Sequence, residues 1–441
     1  MQRRTLLGAA LATAASAGTA FAQDAARFAH GTPLGTVPFS PDVFRERRQR
    51  VMAAMKTGIA VLHGADNIEH GQSEEEASQQ VANFAWLTGI VDEPGAVLVL
   101  APAERTVKEW LLLPSRNPET ERWDIERLAL GEEMERRTGF QKVLRTPSLG
   151  GLVTGLAQRN KELRFLGPIV GPNAPVPPVL ELYGKVAQRV PGARTVDDTA
   201  LLPSLRIVKE PRELAIMRKA VEATRAGHLA AMRAVRPGMT EGELKAIMEA
   251  AFRAAGGKGL SYHSIVASGR NAASLHYRGG NGVIGKDDLI LIDAAASVGG
   301  YACDVTRTFP ASGRFTPAQR KTYDIVLAAQ EAAVAVLKAG VIFEDVDAAA
   351  REVIRKAGHA DDFYHGVGHL VGTEVHDAGD MSKPLPAGAV LTIEPGIYVQ
   401  AQNYGVRIED QYLITPTGAE RMSVGIPRTA AEVEALMAEG R

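Results

Sequence analysis

The stretch "YHGVGHLVGTEVHD", residues 364–377, holds three of the ten histidines of the chain. Imidazole moves its proton near neutral pH and, when neutral, is the commonest metal ligand. His365 and His369 stand four residues apart, as in zinc-binding helices. Gly366 and Gly368 lie between and beside them and disfavour a helix. The expectation is a glycine-lined loop or strand with backbone room for a ligand. His376 follows seven residues after His369, and His276 stands upstream in "NAASLHY". A lone histidine is more often a satisfied core or surface residue than a ligand. These four gain weight from the carboxylates elsewhere in the chain.

In "DLILIDAAASVGGYACDVTRTF", 288–309, an apolar strand ends at Asp293, a Gly-Gly turn follows, and a second strand carries Asp304. A four-residue loop, Ser297–Gly300, would set Asp293 directly opposite Asp304, with Cβ atoms roughly 4.5–5.5 Å apart. Carboxylates that close repel unless a cation lies between them. In "VLTIEPGIYVQAQNYGVRIEDQYLIT", 390–415, a loop at Gln400–Asn403 would set Glu394 opposite Glu409. Arg407, two residues away on the same face, is expected to help keep Glu409 ionised. Acids beside a hairpin turn are usually surface residues. Two facing pairs at the ends of core-like strands, with imidazoles nearby, make a different set. Four carboxylates plus imidazole suit Mn²⁺, Co²⁺ or Zn²⁺. Bridging carboxylates would hold two ions about 3.5–4 Å apart.

The elements that position these residues fall into two groups. The chain has 441 residues, enough for two or three domains and a sizeable core. From about Asp42 a helical pattern begins, followed by the strand-like runs "GIAVLHG", "AVLVL" and "EWLLLP". Segments 122–140, 154–165 and 177–189 read as helices or mixed connections. Strands alternating with helices predict an α/β first domain, 40–203. The second domain, 204–441, is predicted as α+β. It has a long amphipathic helix ending at Pro237-Gly238, then a helix capped by Thr240 and stopped at Gly256. Further helices are expected at 317–339 and about 344–357, with strand-rich sequence to residue 415. No fixed-period repeat is present.

Residues 1–22 read as a secretory signal. Arg3 and Arg4 precede an apolar run, and Ala20-Phe21-Ala22 is a small-x-small cleavage site. The paired arginines point to twin-arginine export and a periplasmic or secreted location. Residues 23–39 read as a linker. No stable membrane insertion is expected, because no later apolar stretch reaches spanning length. Net charge is −1, which gives no electrostatic support for nucleic-acid binding. The run Glu74–Glu76 reads as a solvated face. Cys303, the one cysteine, is expected to be a small buried hydrophobe.

With these residues in view, the chain resembles the pita-bread metallopeptidases of family M24, which include aminopeptidase P, prolidase and methionine aminopeptidase. The matching stretches are "DAAASVGGYACDVTRTFP", "HGVGHLVGTEVHD", "IEPGIY" and "VRIED"; "NFAWLTGIVDEPGAVLVL" is similar to the N-terminal domain of aminopeptidase P. The resemblance runs from about residue 40 to the C-terminal helix. It implies a C-terminal pita-bread domain behind a smaller creatinase-like α/β domain, two divalent ions (Mn²⁺ above Co²⁺ or Zn²⁺), and a proline-containing peptide substrate. Asp293 would hold one metal, Asp304 and Glu409 would bridge both, and His369 and Glu394 would complete the other site. An acidified water would attack the scissile carbonyl, with Glu394 accepting its proton. His276 and His376 would bind substrate and the developing oxyanion, His365 would line the proline pocket, and Arg407 would support the ligands from behind. The resemblance also implies a homo-oligomer, a dimer or tetramer. The activity implied is removal of the N-terminal residue from Xaa-Pro peptides. Alternatives are a prolidase, or a non-catalytic pita-bread binding protein. Creatinase-like enzymes and binding relatives lose ligands that this chain keeps, and methionine aminopeptidase is disfavoured by the extra N-terminal domain.

Overall fold

The computed structural model describes residues 39–64, 82–91, 93–123, 129–169, 171–173 and 175–440. The expected signal, most of the linker and the Glu74–Glu76 run lie outside the described residues. The chain divides into two compact units between Leu201 and Leu202.

In the first unit the elements run α1 (Pro41–Met55), β1 (Ile59–His63), α2 (Ala82–Thr88), β2 (Val97–Leu100), β3 (Glu109–Leu113), α3 (Glu132–Thr138), β4 (Val143–Arg145), α4 (Leu149–Arg159), β5 (Glu162–Phe165), α5 (Pro178–Arg189) and β6 (Arg194–Asp197). The apolar runs IAVLH, VLVL and EWLLL are buried almost end to end, as strands covered on both faces require. They form the centre of a six-stranded sheet of order β4-β3-β2-β1-β5-β6. The β1–β2 and β2–β3 pairs are antiparallel and the rest parallel. α1 departs from simple patterning, because Arg47 and Arg48 are both fully buried on it. Arg47 lies 4.8 Å over the Trp86 ring, and Arg48 pairs with Glu109 at 2.7 Å while stacking on Phe140. Each buried guanidinium is matched by a π face or a carboxylate, without which its burial would be prohibitive.

α6 (Leu201–Arg206) stands at the division. The second unit continues with α7 (Pro211–Ala234), α8 (Glu241–Ala254), β7 (Gly259–Leu260), β8 (Ile265–Ser268), β9 (Leu289–Asp293), β10 (Ala296–Ser297), β11 (Thr306–Pro310), α9 (Pro317–Val336), α10 (Phe343–Lys356), β12 (Val390–Ile393), β13 (Gly396–Val399), β14 (Tyr404–Arg407), β15 (Asp410–Ile414), β16 (Ala419–Arg421) and α11 (Ala430–Glu439). Thr240 caps α8 as expected: its hydroxyl accepts from Glu243 N, and the Glu243 carboxylate accepts from Thr240 N. Such a cap is worth about 1 kcal/mol. Cys303 is fully buried, and burial pushes its thiol up.

Two hairpins carry the acids. In the first, Asp293 faces Thr306, and so does not face Asp304 as the four-residue loop would require. The turn is tighter: Val298 bridges Tyr301, and Gly299 and Gly300 both take positive φ, 57° and 76°. That is the two-residue turn whose twist matches the strands and which glycine alone enters freely. The register moves by two positions, an even number, so Asp304 stays on the face of Asp293 as a diagonal neighbour. In the second hairpin the expected register holds. Gly396 faces Arg407 on one side and Ile393 faces Asp410 on the other, which brackets Glu394 and Glu409. The ladder opens between them. Pro395 has no N–H to give, Glu394 N donates to Val367 O at 2.7 Å, and Glu409 N donates to Thr306 O at 3.1 Å. The two glutamates thus sit at a break in pairing, held by neighbouring strands and loops.

Candidate metal centre

One cavity of about 470 Å³ in the second unit is lined by Asp293, Asp304, His369, Glu394 and Glu409, and also by His276, His365, His376 and Arg407. The expected metal ligands, the three other histidines and Arg407 therefore meet at one place. Asp304, His369 and Glu409 form the tightest group, with one ligand atom from each within 4.8 Å of the others. His369 Nε2 lies 3.3 Å from Asp304 Oδ2 and 3.5 Å from Glu394 Oε1. Its Nδ1 lies 3.1 Å from Leu370 O. A proton on Nδ1, donated to that carbonyl, leaves Nε2 turned toward the carboxylates, as in metal-binding histidines.

The electrostatics are those of a crowded anionic site. Burial pushes Glu409 well up, with the charges of Asp304, Glu394 and Asp293 adding to it. Burial likewise lifts Glu394 to about 7, against the pull of His369 and Arg407. Asp293 is raised by burial, although Arg407 opposes the rise. Burial would depress His369, but the hydrogen bond and charge of Asp304, then the charge of Glu394, carry it up to about 9. Glu409 Oε2 accepts from the Thr306 hydroxyl at 2.6 Å, while its buried Oε1 has no partner among the described residues. A buried, unpaired carboxylate oxygen facing an imidazole and further carboxylates lacks only a cation. The donor set fits divalent metal ions.

Arg407 favours the ionised form of Glu409 by its charge, as expected, but its direct contacts lie elsewhere. Its main partner is Asp293, at 2.6 Å, with its Nη1 donating to the Tyr398 hydroxyl at 2.7 Å. No ion pair joins it to Glu409 among the described residues. β14 ends at Arg407, and its side chain reaches across to the end of β9. Because Arg407 can only donate, the Tyr398 hydroxyl accepts from it and donates its own hydrogen bond to His365 Nε2, 2.9 Å away. The proton of the neutral His365 ring then lies on Nδ1 and is donated to Gly366 O at 2.8 Å. Burial, then the charge of Arg407, lowers His365 to about 4. His376 and His276 are both exposed on the cavity wall, and desolvation, then the charge of His369, depresses His376. The histidine segment is non-helical, as the glycines required. The two glycines differ, however. A Cβ on Gly368 would lie 2.0 Å from Thr392 O, so this glycine serves close backbone packing, whereas Gly366 faces open space.

Sequence reasoning missed two tyrosines. The Tyr262 hydroxyl lies 2.6 Å from Asp293 Oδ1 and 2.5 Å from Asp304 Oδ1, and its single proton serves one at a time. Tyr398 links Arg407 to His365. Neither carries a motif of its own. The available signal was only position: Tyr262 stands three residues before β8, which pairs with β9.

A pita-bread unit whose cavity gathers four carboxylates and an imidazole defines a metallopeptidase of family M24. Residues 215–416 match the model of metallopeptidase family M24, and residues 44–164 match the aminopeptidase P N-terminal domain. The chain is 33% identical to the Xaa-Pro aminopeptidase of Escherichia coli K12, over 90% of this chain and 98% of that one. It is 32% identical to the Xaa-Pro aminopeptidase of Haemophilus influenzae, over 89% and 96%. The structure of Pseudomonas aeruginosa aminopeptidase PepP superposes with a TM-score of 0.82 at 32% identity, covering 92% of this chain and 99% of that one. Zinc-substituted E. coli aminopeptidase P in complex with product gives 0.81 at 30% identity, covering 91% and 99%. The chain belongs to the aminopeptidase P family.

Proposed function

We propose that this chain is a metal-dependent aminopeptidase that hydrolyses the bond between an N-terminal residue and a following proline. The observation that carries this reading is the cluster of Asp304, His369 and Glu409, with Glu394 and Asp293 on the same cavity wall. The Xaa-Pro aminopeptidase relatives supply the substrate class. Asp293, Asp304, His369, Glu394 and Glu409 would hold the metal. Bound divalent ions would supply Lewis-acid polarisation of the scissile carbonyl and a more acidic water. The residues of the chain do the rest. Glu394, on the cavity wall beside the His369 imidazole, accepts a proton and can return it to the leaving proline nitrogen. His376 and His276 reach into the cavity as donors for the substrate carbonyl. His365, neutral and fixed by Tyr398, offers a rigid wall for the proline ring. Arg407 holds Asp293 in place.

The preference for Mn²⁺ is part of this proposal and rests on a donor set of four carboxylates to one imidazole, which leans to the harder end of the divalent series. Periplasmic or secreted location rests on residues 1–22, and the paired Arg3-Arg4 favours twin-arginine export. A dimer or tetramer belongs to the same proposal and is read by light scattering. The test of activity uses metal-stripped mature protein reloaded with Mn²⁺ and assayed on Arg-Pro-Pro and Ala-Pro. Release of arginine from the tripeptide is expected. Turnover of Ala-Pro alone would make the chain a dipeptidase, and no turnover of either would remove the reading.

A further inference from the structure

Glu241, the first residue of α8, is fully buried yet stands outside the metal cluster. Its carboxylate accepts five hydrogen bonds: from Ser268 N at 2.7 Å, Ser268 Oγ at 2.9 Å, Asn271 Nδ2 at 2.9 Å, Tyr277 OH at 2.9 Å and Gly282 N at 3.2 Å. The backbone adds two more ties, from Glu241 N to Gly282 O and from Gly242 N to Gly280 O. A Cβ on Gly282 would lie 2.6 Å from Glu241 Cδ, so the approach depends on glycine. Segment 268–282 is thereby fixed at both ends and at Tyr277. With the Tyr277 hydroxyl held by Glu241, the two residues that flank it, His276 and Arg278, line the cavity.

Arg278 is exposed and, among the described residues, has no hydrogen bond or ion pair. The other guanidinium on the wall, Arg407, is buried and committed to Asp293 and Tyr398. Arg278 is therefore the uncommitted cation of this cavity, held in place by a rigid segment. We infer that Arg278 is a specificity residue that binds a carboxylate of the peptide beyond the cleaved bond. The inference rests on the aminopeptidase reading. An exopeptidase that takes the N-terminal residue inward leaves the rest of the peptide running out past the exposed wall. A guanidinium there pairs with carboxylate in forked geometry. Two sources carry that group: the C-terminus of a tripeptide, or an Asp or Glu side chain at the third position.

The test compares three peptides, Ala-Pro-Ala, Ala-Pro-Ala-amide and Ala-Pro-Glu-amide, on the metal-loaded wild type, Arg278→Ala and Arg278→Glu. An exposed pair of this kind is expected to lower KM about two- to fivefold for a carboxylate-bearing peptide relative to Ala-Pro-Ala-amide. The preference should shrink in high salt, collapse in Arg278→Ala and reverse in Arg278→Glu. A preference for Ala-Pro-Ala identifies the C-terminus as the source, and one for Ala-Pro-Glu-amide identifies the side chain. Equal KM for all three in wild type, or a preference that survives in Arg278→Ala, overturns the inference alone. If wild type cleaves none of them, the aminopeptidase reading falls and takes the inference with it.

Discussion

His369 and His376 lie face to face, with ring centroids 3.9 Å apart and planes 13° from parallel. The intervening loop doubles back to bring them together: Gly372 N donates to Glu374 O at 2.9 Å, and Asp377 N donates to Leu370 O at 2.8 Å. Asp377, next to His376, is buried between Arg206 and Lys209, the latter at 2.8 Å. Stacking holds the His376 ring beside the His369 ring on the cavity wall. His376→Phe keeps a flat ring there but removes the donor. Metal content is expected to stay at the wild-type level while kcat falls about 10²–10³-fold, the usual cost of losing one oxyanion donor. Wild-type turnover in His376→Phe would make the ring a packing partner only.

Asp304 stands between Tyr262, His369 and the carboxylates of Glu394 and Glu409. If the proposed metal site is right, Asp304 should be indispensable to metal occupancy. Asp304→Ala is expected to weaken metal binding by more than about 100-fold, beyond the range seen on losing a supporting partner. Elemental analysis after reloading reads this directly. A variant that retains both full metal and activity would show that Asp304 is not a ligand.

Loading should also release protons. In the metal-free protein His369 sits at about 9, Glu394 at about 7 and Glu409 well above the usual carboxylate range, so His369, Glu409 and part of the Glu394 population carry protons at neutral pH that a ligand must give up. Affinity is expected to rise with pH across the window from about 6 to 9. Calorimetry in buffers of different ionisation enthalpy reads the number of protons released, which should fall as the pH rises. Metal affinity independent of pH over that window would exclude His369 and Glu394 as the exchanging groups.

Much of this site was legible from residue type and spacing. The acids announced themselves at the ends of apolar strands, and parity alone put Asp293 and Asp304 on one face. The exact partner across the hairpin was not legible, because it turned on whether Gly299 and Gly300 both adopted positive φ. Glu394 and Glu409 kept their register because a ladder on each side enforces it. Strand periodicity put Arg407 near Glu409, whose ionised form its charge favours; its direct contact with Asp293 joins different hairpins, which periodicity within one hairpin cannot show. The buried Arg47 and Arg48 were hidden for the same reason: their partners, Trp86 and Glu109, are distant in sequence. Tyr262, Tyr398 and Arg278 needed the assembled cavity to acquire meaning.

His228 supplies a stability signal separate from catalysis. It lies on α7, fully buried, with Nε2 2.9 Å from Ala294 O and with Nδ1 lacking a partner among the described residues. Nε2 therefore carries the proton of a neutral ring. Burial, reinforced by the Arg307 charge, lowers its pKa to about 4 despite the Ala294 carbonyl. The unfolded chain takes up this proton near the ordinary histidine value of about 6.5. Between those values the unfolded state binds more protons, so folding stability falls as pH drops through that window. The full contribution is present above about 6.5, and roughly 3 kcal/mol is lost by pH 4. His228→Gln keeps an N–H for Ala294 O but cannot titrate. Its melting temperature relative to wild type should therefore climb by several degrees between pH 7 and pH 4.5, whatever its value at pH 7. A difference that stays constant across that range would show that His228 does not carry the acid sensitivity of the fold.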